Sequence, residues 1–217
     1  MAEIWGVVVA GGSGTRFGSP KQFAMLSGRP VVQIAVQACR SVCHKVVLVV
    51  PAGCSDTSEL HGADVAVEGG STRSQSVRAG LQAVPMSAEI VVVHDAARPL
   101  AAPALFERLL TALEGEVAGA TCAVSVSDTV KRVRADPSGR RMVVETLDRA
   151  ELVAVQTPQA FKASALRRAH STEPEATDDA ALLESLCLEV AVVEGDPDNL
   201  KLTTKGDLAL AEALVGG

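Results

Sequence analysis

The chain has 217 residues, 47% of them hydrophobic, 21% charged and only 2% aromatic, with a net charge of −6. That composition excludes a disordered or fibrous chain, and an acidic balance without a basic stripe argues against a nucleic-acid partner. No apolar run approaches the roughly 20 residues needed to cross a bilayer, and "MAEIWG" lacks the pattern of a signal peptide. The expected setting is the cytoplasm, with no membrane partner.

Short Val-rich runs alternate with helical patterns. "IWGVVVA" predicts a strand, and "PVVQIAVQACRS" a helix with Pro30 at its first position, where a missing N–H costs nothing. "KVVLVV" and "DVAVE" predict strands, "TRSQSVRAGLQAV" a helix, "EIVVVH" a strand, "APALFERLLTALE" a helix and "GATCAVSV" a strand. The strands are near-continuously apolar, as strands covered on both faces are. Repetition of strand and helix at this spacing predicts an α/β domain with a mainly parallel sheet.

The rhythm changes after about Val130. "KRVRADPSGRRMVVETLDRAELVAVQTPQAF" places a turn at Asp136–Gly139 between two β-prone pieces and predicts a hairpin. So long an excursion predicts a lid or an arm reaching another subunit. Helices near Lys162–Ala169 and Asp178–Leu188 follow, then the strand "EVAVVEG", a short "NLKLT" and the closing helix "GDLALAEALV". One domain spanning 1–217, with an arm at about 131–155, is the expected organisation.

Of the five cysteines, Cys39 and Cys43 sit four apart beside His44. No CxxC pair completes a metal site there, and packed free thiols are the commoner use of such residues.

Sheets of this kind bind ligands beyond the carboxyl ends of their strands. The first strand ends in Gly11-Gly12-Ser13-Gly14-Thr15-Arg16. A Walker loop is excluded, because Lys21 is followed by Gln22 rather than Ser or Thr. A dinucleotide fingerprint is disfavoured by Phe17 in place of a third glycine and by the ending "VPA" of the second strand. There remain a loop whose backbone N–H groups can approach a polyphosphate, carrying Arg16 and Lys21, and the alternative of a surface turn with two solvated charges.

The third strand ends in "EGGSTRSQSV": Gly69-Gly70 permits close backbone approach, Ser71 or Thr72 caps the next helix, and Ser76 lies one turn inside. The fourth ends in "VVVHDAARP". Asp95 directly after an apolar strand is costly unless a cation compensates it. Arg98 is one candidate partner and Mg²⁺ the other, since that ion takes oxygen ligands and bridges triphosphate oxygens. His94 is read as structural. Together these strand ends suit a nucleoside triphosphate.

"AGGSGTRFGSPKQF", "GGSTRSQSV", "VHDAARP", "DT" before "KRV", "DRAELVAVQTPQAF", "ATDDAALLE" and "DNLKLTT" occur in order along essentially the whole chain. Together they resemble the 2-C-methyl-D-erythritol 4-phosphate cytidylyltransferases. The resemblance implies a Rossmann-like homodimer whose β-arm crosses to the partner. It also implies a reaction in which CTP and methylerythritol phosphate give a cytidine diphosphate alcohol and pyrophosphate.

Carried onto this sequence, the resemblance makes Arg16 and Lys21 the pair that stabilises charge on the α-phosphate. It assigns the triphosphate to the loop of Ala10, Gly11, Gly12 and Gly14, and the cytosine and ribose to Gly70, Ser71, Ser76 and Ala96. Asp95 would organise Mg²⁺. Arg98, Thr129, Thr177 and Lys201 would hold the acceptor, with Arg149 from the other subunit. Gly11 and Phe17 are shared with a sister family that activates ribitol 5-phosphate, which is the alternative acceptor. A glycosyltransferase-like nucleotide-sugar module is a further alternative, but it predicts an Asp-x-Asp pair where "HDAARP" has one Asp.

Overall fold

The computed structural model describes residues 2–12, 17, 21–54 and 61–216, with the backbone only at Lys21. The phosphate-loop residues Gly14 and Arg16 and the side chain of Lys21 therefore lie outside the described residues.

A seven-stranded sheet runs through the molecule. Its strands are β1 (Ile4–Val9), β4 (Lys45–Val50), β5 (Val65–Glu68), β6 (Ile90–Asp95), β7 (Gly119–Ser125), β10 (Val153–Lys162) and β11 (Val190–Glu194), in the order β11-β7-β10-β6-β1-β4-β5. β1 pairs in parallel with both β4 and β6, whereas β10 is antiparallel to both β6 and β7. Two short ladders stand apart: β2 (Met25–Leu26) with β3 (Arg29–Pro30), and β8 (Lys131–Ala135) with β9 (Arg141–Thr146).

Both faces of the sheet are covered. Val8 packs with Val32, Val36 and Phe106 on the side of helices α1 (Val31–Arg40) and α3 (Pro103–Ala112). Its neighbour Val7 packs with Val77, Leu81, Leu166 and Leu183 on the side of α2 (Arg73–Ala83), α4 (Ala163–His170) and α5 (Asp179–Glu184). Successive strand side chains point to opposite faces, so apolar residues on both sides explain the unbroken Val runs. The closing helix α6 (Lys205–Gly216) buries Ala211 beside Leu26, Val31 and Leu202.

Several boundaries differ from those read off the sequence. Pro30 is extended (ψ 136°) and precedes the first helical residue, because it still belongs to the β2–β3 ladder. α5 ends at Glu184, short of the expected Leu188; Cys187 adopts φ +55°, which a helix cannot continue through. The β8–β9 hairpin protrudes with every strand residue exposed, and the Asp136 side chain ties its turn by accepting bonds from the backbone N–H groups of Ser138 and Arg140.

"VAVQTPQAF" is not hairpin but central sheet. β10 pairs at Val153–Val155 and again at Gln159–Phe161, with the register broken between them. Pro158 has no N–H to offer a ladder, and beside it Thr157 Oγ1 accepts from Asp95 N–H (3.0 Å) at the end of β6. Among the described residues no helix is long and apolar enough to cross a membrane.

Candidate active site

The carboxyl ends of β1, β5 and β6 open on one cleft of about 440 Å³, lined by Ala10, Gly11, Gly12, Gln22, Gly70, Ser71, Thr72, Arg73, Ser76, Asp95, Ala96 and Lys201 among others. The ends are stitched together by backbone: Ala10 N–H donates to Val49 O (2.8 Å), Gly69 N–H to Val50 O (2.8 Å) and Ala96 N–H to Val9 O (3.0 Å). At Gly69 a Cβ would meet Ser76 Oγ at 2.6 Å, and at Gly70 it would meet Gln75 Cβ at 2.3 Å, so a side chain at either position would force α2 side chains to shift. Thr72 caps α2 by accepting from Gln75 N–H (3.1 Å). Gln75 Oε1 in turn accepts from both the N–H and the hydroxyl of Ser71 at 2.8 Å. Ser76 is buried and donates to Thr72 O (2.9 Å), so its hydroxyl proton is used within the turn and its oxygen keeps acceptor capacity at the cleft wall.

Asp95 is 7% exposed and carries two cations: Arg73 Nε donates to Oδ1 (3.0 Å) and Lys201 Nζ to Oδ2 (2.8 Å). Burial alone would raise its pKa, but the charges and hydrogen bonds of Arg73 and Lys201 outweigh burial and hold it below the usual carboxylate range. The Asp95–Arg98 ion pair considered from the sequence is absent among the described contacts. Arg98 instead donates to Asn199 O (2.7 Å) and meets Asp95 only through its backbone N–H (2.9 Å to Asp95 O). His94 is structural: fully buried, with Nε2 3.1 Å from Arg98 O and Nδ1 3.3 Å from Thr157 Oγ1, its pKa pushed down by burial to about 4.

A second cleft, of about 380 Å³, adjoins the first and is lined by Arg98, Gln156, Thr157, Thr177 and Asp178. Arg73, Asp95 and Lys201 line both clefts. The structure thus brings together Ala10, Gly11, Gly12, Gly70, Ser71, Ser76, Asp95 and Ala96 on one side, and Arg98 and Thr177 on the other, with Lys201 between them. Thr129 and Arg149 line neither cleft; both are exposed at the foot of the hairpin, where the Arg149 guanidinium bonds Ser127 O.

Arg73 went unread in the sequence although it stands inside "GGSTRSQSV". A signal was available: it is the first residue of α2, where the helix dipole disfavours a cation, and such local conflicts cluster at functional sites.

The comparisons with known proteins agree with one another. The profile of one family, IspD: 2-C-methyl-D-erythritol 4-phosphate cytidylyltransferase, matches residues 4–217. The chain is 43% identical over 221 residues to the 2-C-methyl-D-erythritol 4-phosphate cytidylyltransferase of Nocardia farcinica, covering 98% of this chain and 94% of that one. It is 44% identical over 218 residues to the bifunctional enzyme IspD/IspF of Granulibacter bethesdensis, covering 97% of this chain but only 56% of that relative's length. The crystal structure of 2-C-methyl-D-erythritol 4-phosphate cytidylyltransferase from Thermus thermophilus superposes with a TM-score of 0.80 at 34% identity, covering 100% of both chains.

Proposed function

The chain belongs to the 2-C-methyl-D-erythritol 4-phosphate cytidylyltransferase family, and we propose that it performs the reaction that names the family. A phosphate oxygen of methylerythritol phosphate attacks the α-phosphorus of CTP; the new P–O bond forms as the α–β bridge breaks, and pyrophosphate leaves with the electron pair. The observation that carries this reading is the sharing of Arg73, Asp95 and Lys201 by two adjoining clefts. One cleft takes the nucleotide at the strand ends, the other takes the acceptor, and charge sits where they meet.

No general base is required. A phosphate monoester has its second pKa near about 6, so the attacking oxygen is already mostly ionised at neutral pH. The work left to the protein is alignment and neutralisation of charge. The backbone of Ala10, Gly11, Gly12 and Gly14 cradles the triphosphate, and Gly70, Ser71, Ser76 and Ala96 read the cytosine and ribose. Arg16 and Lys21 stabilise charge developing on the α-phosphate. Lys201, Arg98, Thr177 and Thr129 hold the acceptor, and Arg149 completes the site from a partner subunit through the hairpin arm, making the working unit a homodimer.

Asp95 is the residue that would hold Mg²⁺. Both its oxygens already accept from cations, and among the described residues no group of three or more His, Cys, Asp and Glu side chains is placed to bind a metal. Each carboxylate oxygen keeps a second lone pair beside its bond to Arg73 or Lys201, so Asp95 could offer a ligand to a hard cation, which takes oxygen donors, and the remaining ligands would have to come from outside these side chains. When bound, magnesium supplies neutralisation of the phosphate charge.

The deciding experiment is pyrophosphate release with CTP and either methylerythritol phosphate or ribitol 5-phosphate. Turnover confined to the first acceptor is expected. Turnover with ribitol 5-phosphate alone, or with neither, refutes the assignment.

A further inference from the structure

From behind the two clefts to their shared wall runs a chain of hydrogen-bonded polar side chains, buried at His170, Asp179 and Asp95. His170 Nε2 lies 2.9 Å from Asp179 Oδ1, and the other oxygen of Asp179 accepts from Arg73 Nη1 at 2.7 Å. Arg73 then donates through Nε to Asp95, whose second oxygen takes Lys201. The path crosses from α4 through α5 to the first residue of α2, then to the last residue of β6 and the segment after β11. Asp179 is 1% exposed and His170 5%, and Asp179 borders neither cleft.

Burying the Asp179 carboxylate costs several kcal/mol before compensation. Burial would raise its pKa, and the hydrogen bond from His170 and the charge of Arg73 reverse that, holding the group ionised. A simple structural ion pair would need one cation for one carboxylate. Here one guanidinium serves two carboxylates through different nitrogens of its planar fork, a geometry that fixes orientation as well as charge. Asp179, which lines neither cleft, holds Arg73 through Nη1 while Asp95 holds Nε, so the guanidinium cannot turn without breaking one of these bonds. Asp95, gripped by Nε, in turn limits where the Lys201 ammonium can stand.

We propose that Arg73 is a positioning residue for the transfer: anchored from behind by Asp179 and His170, it sets the orientation of Asp95 and thereby the place of Lys201 Nζ between the nucleotide and acceptor clefts. This rests on the reaction proposed above. Loss of the anchor leaves Asp95 free to rotate with Lys201, and misplacement of a charged group by about 1 Å can cost two orders of magnitude in rate.

The test is Asp179→Asn, which keeps the side-chain shape and touches neither cleft, measured by pyrophosphate release from CTP and methylerythritol phosphate with folding checked by circular dichroism and melting. The expected result is a kcat, referred to the folded fraction, lowered about tenfold or more with KM for both substrates within about threefold. Loss of folded enzyme also lowers apparent kcat at constant KM, so the readout that separates the two is the double-mutant comparison with Asp95→Asn, which a loss of fold would leave fully multiplicative. In an Asp95→Asn background the same substitution should change kcat less than about twofold, because its route to the site is already cut. His170→Leu, which leaves both carboxylates in place, is the second variant and should lower kcat about threefold on the same reasoning. Wild-type kcat in whichever of these variants folds overturns the proposal, as does a full multiplicative effect of Asp179→Asn on top of Asp95→Asn. A wild-type chain that releases no pyrophosphate overturns the reaction and the positioning role together, whereas an active wild type with indifferent variants overturns the positioning role alone.

Discussion

Lys201 Nζ meets Asp95 Oδ2 at 2.8 Å, and the two side chains differ in setting: the lysine is 44% exposed and the aspartate 9%. The carboxylate is held from inside by Arg73, while the ammonium faces both Asp95 and open cleft. An ion pair half in water contributes about 1 kcal/mol or less to stability, so its value lies in the charge it presents. Lys201→Met, which keeps the aliphatic stem, is expected to lower kcat/KM by about 10²-fold, the scale of losing one electrostatic contact in a transition state. The melting temperature should hardly move. Near-normal turnover in a folded Lys201→Met enzyme would remove Lys201 from the mechanism.

The strand-end rule carried most of the site. The Val runs of β1, β4 and β6 imply a doubly covered parallel sheet, and that alone puts Ala10–Gly12, Gly69–Thr72 and Asp95 on one rim. β10 was harder to read, because "VAVQTPQAF" carries two glutamines and a proline that argue against a central strand. Those glutamines are tolerated because each has partners: Gln159 donates to Thr121 Oγ1 and Asp178 Oδ2, and Gln156 to Asp196 O. Such compensation comes from distant parts of the chain. Arg73 with Asp179 is the same case at a separation of 106 residues: each looks like an ordinary charge at a helix start, and only folding makes them a pair.

The glycine loop gives a prediction that reaches outside the described residues. If Lys21 neutralises charge on the α-phosphate, Lys21→Ala should lower kcat by about 10²–10³ and leave folding intact. If Arg149 acts across a dimer, Arg149→Ala should be equally impaired by itself. Co-refolding the two variants then creates mixed dimers with one site that lacks neither residue, and activity should return. Its failure to return in mixtures shown to be heterodimeric would refute a site shared between subunits.

Close packing between α2 and the sheet supports the rim of the first cleft. A Cβ on Gly80 would lie 2.5 Å from Val7 Cγ1 and 3.0 Å from Val49 Cγ2. Gly80→Ala therefore pushes α2 off β1 and β4, and overpacking of this kind costs about 1–3 kcal/mol. Because α2 begins at Arg73, the same displacement should raise KM for CTP. Denaturant unfolding and initial-rate kinetics measure the two effects; an unchanged unfolding midpoint would mean that the helix can shift at no cost.

Acid sensitivity should show a clear contribution from Asp64, which closes the β4–β5 edge. Its carboxylate accepts from Lys45 Nζ (2.8 Å) and from Val46 N–H (2.9 Å) and pairs with Arg40. Partial burial opposes the charge, but Lys45, the Val46 N–H and Arg40 prevail and lower the pKa from 3.8 to about 2. A group with a depressed folded-state pKa stabilises the fold above its unfolded value and loses that contribution as pH falls through the folded one. Asp64 should thus add a constant increment above about pH 4, worth about 1 kcal/mol after allowing for solvent screening, and nothing below about pH 2. Asp64→Asn removes the increment without changing the shape, so wild type and variant should differ in urea unfolding at pH 6 and converge as pH drops from 4 toward 2. Curves that stay parallel over that interval would assign the stabilisation to packing or neutral hydrogen bonds, since neither of those titrates.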